Sequence, residues 1–176
     1  MWHEIRGKNK TLPGTAEAQR RQTQGKRVTL HGRQDFCLIR SGQDWSATRE
    51  EERQKYPGEV EPVLREGMHF LRDEGNSVGC LSCRYMHVIA AVSGAETEKT
   101  FGLAHFTDLA ALALWAKSHS THVAIFGGFM RYVKALNFNI ALRLWHEIAV
   151  VPASAQYFTY INCHAKSGLL THVSWE

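Results

Sequence analysis

Over residues 140–150 the chain alternates between two characters. Ile140, Leu142, Leu144, His146, Ile148 and Val150 fall on one side, with Arg143, Trp145 and Glu147 on the other. A period of two is the mark of a strand with one face covered. The chain therefore has to build a sheet, and His146 has to stand on the covered side of it.

The other segments can be ordered against that strand. Residues 36–41 form a short apolar strand stopped by Gly42. Residues 47–74 have helical spacing, since Val60, Val63, Leu64, Met68 and Leu71 recur at three and four. Pro57 and Pro62 break or restart that helix, and Gly75 ends it. Residues 78–92 are rich in Val, Ile, Tyr and Cys and predict a long strand. A turn at Ser93 and Gly94 leads to a returning strand over residues 97–106. Thr107 and Asp108 offer caps for a helix through Ala116, and a second helix follows over residues 121–136. A last short helix is expected over residues 153–162. The order is β-α-β-β-α-β plus a C-terminal helix. That is an α+β, ferredoxin-like plan: a four-stranded antiparallel sheet with helices on one face. Its first and fourth strands are neighbours, so Ser41 and His146 can meet.

Composition sets the limits. With 176 residues, 44% of them hydrophobic, the chain suits one domain with one sizeable core. No run of about 18 apolar residues predicts a membrane span. The first residues lack the charged-then-apolar order of a secretory signal. Four cysteines at irregular positions fit reduced thiols, hence a cytoplasmic protein. The net charge of +4 is unevenly spread. Residues 1–35 hold eight Lys/Arg against three Asp/Glu, and the remainder thirteen against fourteen. Residues 1–35 are therefore expected to be a basic, loop-like segment ahead of a folded domain over residues 36–176. Without interleaved aromatics or a binding module, the basic segment does not predict a nucleic-acid partner.

The chemistry gathers on histidines. His122 sits on an apolar stripe, with Trp115 seven residues before it and Ile125, Phe126 and Phe129 after it. A single such imidazole is equally at home as a hydrogen-bonded core residue. Here His146 points from a strand toward the same layer. Two imidazoles aimed into one apolar gap suit a flat macrocycle whose metal they can approach, and haem is the natural guest.

Six blocks carry a family resemblance: Leu38-Ile-Arg-Ser-Gly-Gln-Asp-Trp45, Val60-Glu-Pro-Val-Leu-Arg-Glu-Gly-Met68, Phe70-Leu-Arg-Asp-Glu-Gly75, Thr121-His-Val-Ala-Ile-Phe-Gly127, Leu142-Arg-Leu-Trp-His-Glu147 and Gln156-Tyr-Phe-Thr-Tyr-Ile-Asn-Cys-His164. In this order they resemble the haem-containing aldoxime dehydratases, the phenylacetaldoxime dehydratase family, over residues 36–170. The resemblance implies a lyase that turns an aldoxime into a nitrile and water. It implies ferrous haem b with iron bound to the oxime nitrogen, and a dimeric α+β barrel-type fold of which this chain supplies one half. It assigns His122 as the axial ligand of the haem iron, His146 as the distal catalytic histidine and Ser41 as the distal serine. It also implies a homodimer and a small-molecule aldoxime substrate. Imidazole titrates near neutral pH, so His146 can deliver the proton that a departing hydroxide needs. Ser41 can hold the oxime hydroxyl in place.

Family members are longer and have another ferredoxin-like half ahead of the matched region, so the chain is expected to be a fragment or truncated form. A distal arginine of the family lies upstream, and Arg6 is the nearby candidate. The alternative is a catalytically inactive haem-binding or dimerising ferredoxin-like module.

Other residues read more plainly. Cys80 and Cys83 have the spacing of half a zinc site. In a strand, however, an odd separation sends them to opposite faces, and no second pair exists. Cys163 and His164 read as packing or pocket rim. His119 is either a hydrogen-bond partner near His122 or a surface residue. Gly127 and Gly128 suggest close approach to another element or a cofactor face.

Overall fold

The computed structural model describes residues 3–4, 10–11 and 26–173. The strand that the alternation predicts, β7 (Arg143–Val151), lies at one edge of a four-stranded antiparallel sheet. Next to it come β4 (Phe36–Asp44), β6 (Glu96–Phe106) and, at the far edge, β5 (Cys80–Ile89). In chain order this is the 4-1-3-2 arrangement of a ferredoxin-like sheet, with the first and fourth strands adjacent as expected.

All the long helices lie on one face. α1 (Glu50–Lys55) runs through a π-helical turn at Tyr56–Val60 into α2 (Glu61–Asp73), so Pro57 and Pro62 do restart the helix. α3 (Leu109–Ser118) is capped by Asp108, whose carboxylate accepts from the Ala111 N–H at 2.7 Å, and α4 (Ser120–Ala135) follows after one residue. Between helices and sheet, Cys37, Leu64, Met68, Leu71, Phe106 and Trp115 form the main core. Burying each of its larger side chains contributes about 1.5–3 kcal/mol. At Gly67 the Ile125 side chain of α4 comes so close to α2 that a Cβ would lie 2.5 Å from Ile125 Cδ1. Glycine there sets the spacing of the two helices over the sheet.

A smaller sheet differs from the sequence-based expectation twice. β3 (Lys26–His31) lies inside the segment expected to be loop-like, and β8 (Tyr157–Ile161) lies where a helix was expected over residues 153–162. A single 3-10 turn at Ala153–Ala155 is all the helix that forms there. The two strands pair antiparallel, and β1 (His3–Glu4) and β2 (Lys10–Thr11) pair parallel with β3. The reason is a short period-two pattern in each strand. Val28 and Leu30 point inward with Phe158 and Tyr160, against Phe36, Leu81, Leu169 and Leu170 on the other face of the main sheet. Residues 12–25 of the basic segment, like Arg6, lie outside the described residues.

Cys80 and Cys83 correct another expectation. A bulge between Cys80 and Ser82 shifts the register of β5 against β6 and reverses the alternation, so both cysteines enter the same core cluster. Burial pushes the Cys83 thiol up to about 12 and that of Cys80 further. Among the described residues no three His, Cys, Asp or Glu side chains gather to hold a metal ion, so the pair is packing. Among those residues, too, no helix is long and apolar enough to cross a membrane.

Candidate active site

β4 and β7 pair so that Ser41 stands directly opposite His146. Paired residues share a face of the sheet, and Ser41 Oγ lies 2.7 Å from His146 Nδ1. The same face carries Gln43 beside Leu144 and Ile39 beside Ile148. On the opposite face of these two strands, Arg40 pairs with Glu147 at 3.0 Å and lies over the Phe101 ring. That exposed ion pair contributes at most about 1 kcal/mol, yet it lies at the register step next to the Ser41–His146 pair.

α4 provides the roof. Its first turn is held by a local network. The Trp115 indole N–H donates to Thr121 Oγ1 at 3.2 Å, and the Thr121 hydroxyl and N–H both reach His119 Nδ1. The His119 ring stacks on Phe70 at 4.3 Å. His119 is therefore the cap of α4, neither a partner of His122 nor a free surface residue. The break there puts Trp115 on α3 and His122 on α4, yet the two rings meet edge to face at 4.8 Å.

Between roof and sheet lies a cavity of about 380 Å³ to which His122, His146 and Ser41 all contribute. Leu64, Met68 and Leu71 of α2 close its inner side, and Ile125, Phe126 and Phe129 of α4 extend the roof. The lining is apolar apart from those three residues, Gln43 and the polar tips of Tyr56 and Trp115. Burial lowers the pKa of His122, and the facing His146 ring pushes it the same way. The Ala116 carbonyl offsets this in part, although His122 Nδ1 makes no hydrogen bond of good geometry and is buried without a partner. The neutral ring is thus favoured, and that is the form in which an imidazole ligates a metal.

A haem group fits these residues. An unprotonated imidazole with an unpartnered buried nitrogen faces an apolar slot, and the slot opens past exposed apolar side chains, with Phe126 61%, Leu144 40% and Ile148 53% exposed. Among the side chains that α4 lends to the cavity, His122 is the one imidazole.

The structure thus brings together the three residues singled out from the sequence and leaves others apart. Cys163 packs against the smaller core, and His164 Nδ1 accepts from the Lys166 N–H on the surface. No other element approaches Gly127 or Gly128 closely, since only the Arg131 guanidinium of the same helix lies within 4 Å of a Cβ built there. Sequence reasoning passed over Gln43, Tyr56 and Gly102, which also line the cavity. The Tyr56 hydroxyl is buried with no hydrogen-bond partner, and the Thr100 hydroxyl donates to Gln43 and accepts from Tyr85. A glycine in the middle of a strand is the one signal of this kind the sequence offered.

The chain is similar to known proteins along most of its length. The family model for haem-containing dehydratases matches residues 4–169, which takes in the segment ahead of Phe36. An aliphatic aldoxime dehydratase of Pseudomonas chlororaphis is 42% identical over 83% of this chain and 40% of its own length. One from Rhodococcus erythropolis is 37% identical over 96% of this chain and 45% of its own. The phenylacetaldoxime dehydratase of Bacillus sp. (strain OxB-1) is 33% identical over 85% and 42%. A crystal structure of an aldoxime dehydratase in complex with butyraldoxime superposes with a TM-score of 0.77 at 40% identity, covering 84% of this chain and 40% of that one. The chain spans about two-fifths of the length of the relatives it matches. With two histidines and a serine around an apolar slot, and a family match along nearly its whole length, the chain belongs to the haem-containing dehydratase family.

Proposed function

We propose that this chain dehydrates aldoximes to nitriles and water, with a ferrous b-type haem held by His122. The observation that carries the reading is the 2.7 Å contact between Ser41 and His146 on the wall facing His122. The relatives named above as aldoxime dehydratases support it.

When bound, the haem iron supplies an electron-rich centre for the oxime nitrogen. The protein's own residues then have three tasks. The apolar walls exclude bulk water, which would otherwise compete for the proton donor. Ser41 fixes direction. With His146 protonated, Nδ1–H donates to Ser41 Oγ, and the serine hydroxyl is free to donate to the oxime oxygen. His146 then releases the proton on Nε2 to that oxygen as the N–O bond breaks, so that water leaves instead of hydroxide. The now neutral Nε2 of His146 then takes the proton from the aldoxime carbon, which restores the imidazolium, and the nitrile results.

The experiment is anaerobic turnover of butyraldoxime by the haem-reconstituted chain. The wild type is expected to form nitrile. His146→Ala should keep the haem spectrum while activity falls at least about 100-fold, and Ser41→Ala should fall less. A wild type that binds haem and forms no nitrile would instead favour an inactive haem-binding module.

We also propose that the protein works as a homodimer in the cytoplasm. The exposed apolar side chains on β7 and α4 support the first point, and four free thiols support the second. Sedimentation should then give twice the 19.9 kDa of one chain.

A further inference from the structure

We infer that Met68 and Gly102 together form the end wall of the substrate-tail pocket and so set the length of aldoxime the chain accepts, an inference that rests on the aldoxime reading above. One transverse row of the sheet carries Tyr85, Gly102, Ser41 and His146 on β5, β6, β4 and β7. His146 stands on the edge strand, at the open side of the cavity. From the Ser41–His146 pair, the inward direction along the row leads over Gly102.

That position has no side chain, although glycine weakens a strand interior. A Cβ built on Gly102 would meet a single atom within 4 Å, Met68 Sδ at 2.9 Å. The floor next to the serine is therefore bare and roofed by one thioether. Met68 also contributes to a second, outer cleft of about 610 Å³ beside β5, and its Sδ lies 3.9 Å from Cys83 Sγ. Its side chain is thus the partition between inner cavity and outer cleft. Methionine has three rotatable bonds and adapts its shape readily, and the other inner walls, Leu64, Leu71 and Ala104, are apolar. An oxime group held by Ser41 and His146 directs its alkyl tail along the row toward Gly102, where it meets the Met68 thioether.

The two residues should respond in opposite senses. Binding of straight-chain alkyl aldoximes is measured by calorimetry on the haem-free and the haem-loaded chain, together with kcat/KM. For the wild type, affinity should rise about fourfold per methylene and then stop rising at the length where the tail meets Met68. Met68→Ala should move that break about two to three carbons longer. Gly102→Ala should move it shorter, because only the Met68 thioether stands within 4 Å of the added methyl. A variant that merely fails to fold loses every length at once, and the opposite shift in its counterpart still decides the matter. An unchanged break in both folded variants, or no aldoxime binding in any form, overturns the inference. A chain that shows the shifting break yet takes up no haem and forms no nitrile overturns the functional reading alone.

Discussion

Ser41 and His146 are 105 positions apart in the chain and 2.7 Å apart in space. Their contact is legible in the sequence because each lies on a strand whose place in a βαββαβ sheet is fixed by topology. His122 is legible for a related reason, since helical spacing puts it on an apolar stripe. Gln43, Tyr56 and Gly102 were not, because what places them at the cavity is register across strands and the path of a π-helical turn. Two predictions belong at this scale. Burial lowers the His122 pKa below its ordinary value of 6.5, so a proton would compete poorly with the haem iron proposed for it. The haem spectrum of the reconstituted chain should persist as pH falls through that value, which a spectrophotometric titration would show. The second prediction concerns Glu52, a buried carboxylate. It accepts from the Tyr132 hydroxyl at 2.9 Å and from the N–H groups of Ala141 and Leu142, just ahead of β7. Glu52→Ala leaves these donors without a partner and should cost about 3 kcal/mol or more in urea unfolding.

Elements show where pattern reading succeeds and where it fails. β7 came through because its alternation is long; β3 and β8 did not, because five or six residues of period two are easily outweighed by polar or helix-like flanks. Tyr157 to Ile161 are aromatic and β-branched residues suited to a strand, and pairing with β3 decides the outcome. The bulge in β5 is invisible in the spacing of Cys80 and Cys83, yet it brings both thiols into the core. Their pKa values are raised by burial, so a thiol reagent should modify the half-buried Cys163 first and leave Cys80 and Cys83 intact until the chain unfolds. Helix spacing is equally specific. Gly67→Val forces α2 away from Ile125 of α4 and should lower stability by about 1–3 kcal/mol.

At the scale of the molecule, three histidines, His172 buried and His105 and His122 half-buried, link stability to pH. His105, His122 and His172 all have pKa values lowered by burial. The unfolded chain therefore takes up protons at 6.5 before the folded chain does. Stability is unaffected above that pH and falls as pH drops below it, which a series of melting curves between pH 7.5 and 5 would show. The whole arrangement serves one purpose. A helix carries one half-buried imidazole and an edge strand an exposed one, and the sheet and helix caps hold both on one largely apolar gap. Titrating the purified chain with haemin and reducing it anaerobically tests that claim most directly. A Soret band that saturates at one haem per chain in the wild type and in His146→Ala, and is lost in His122→Ala, is the predicted result. A band of equal intensity in His122→Ala would contradict the account, because the iron would then be held elsewhere.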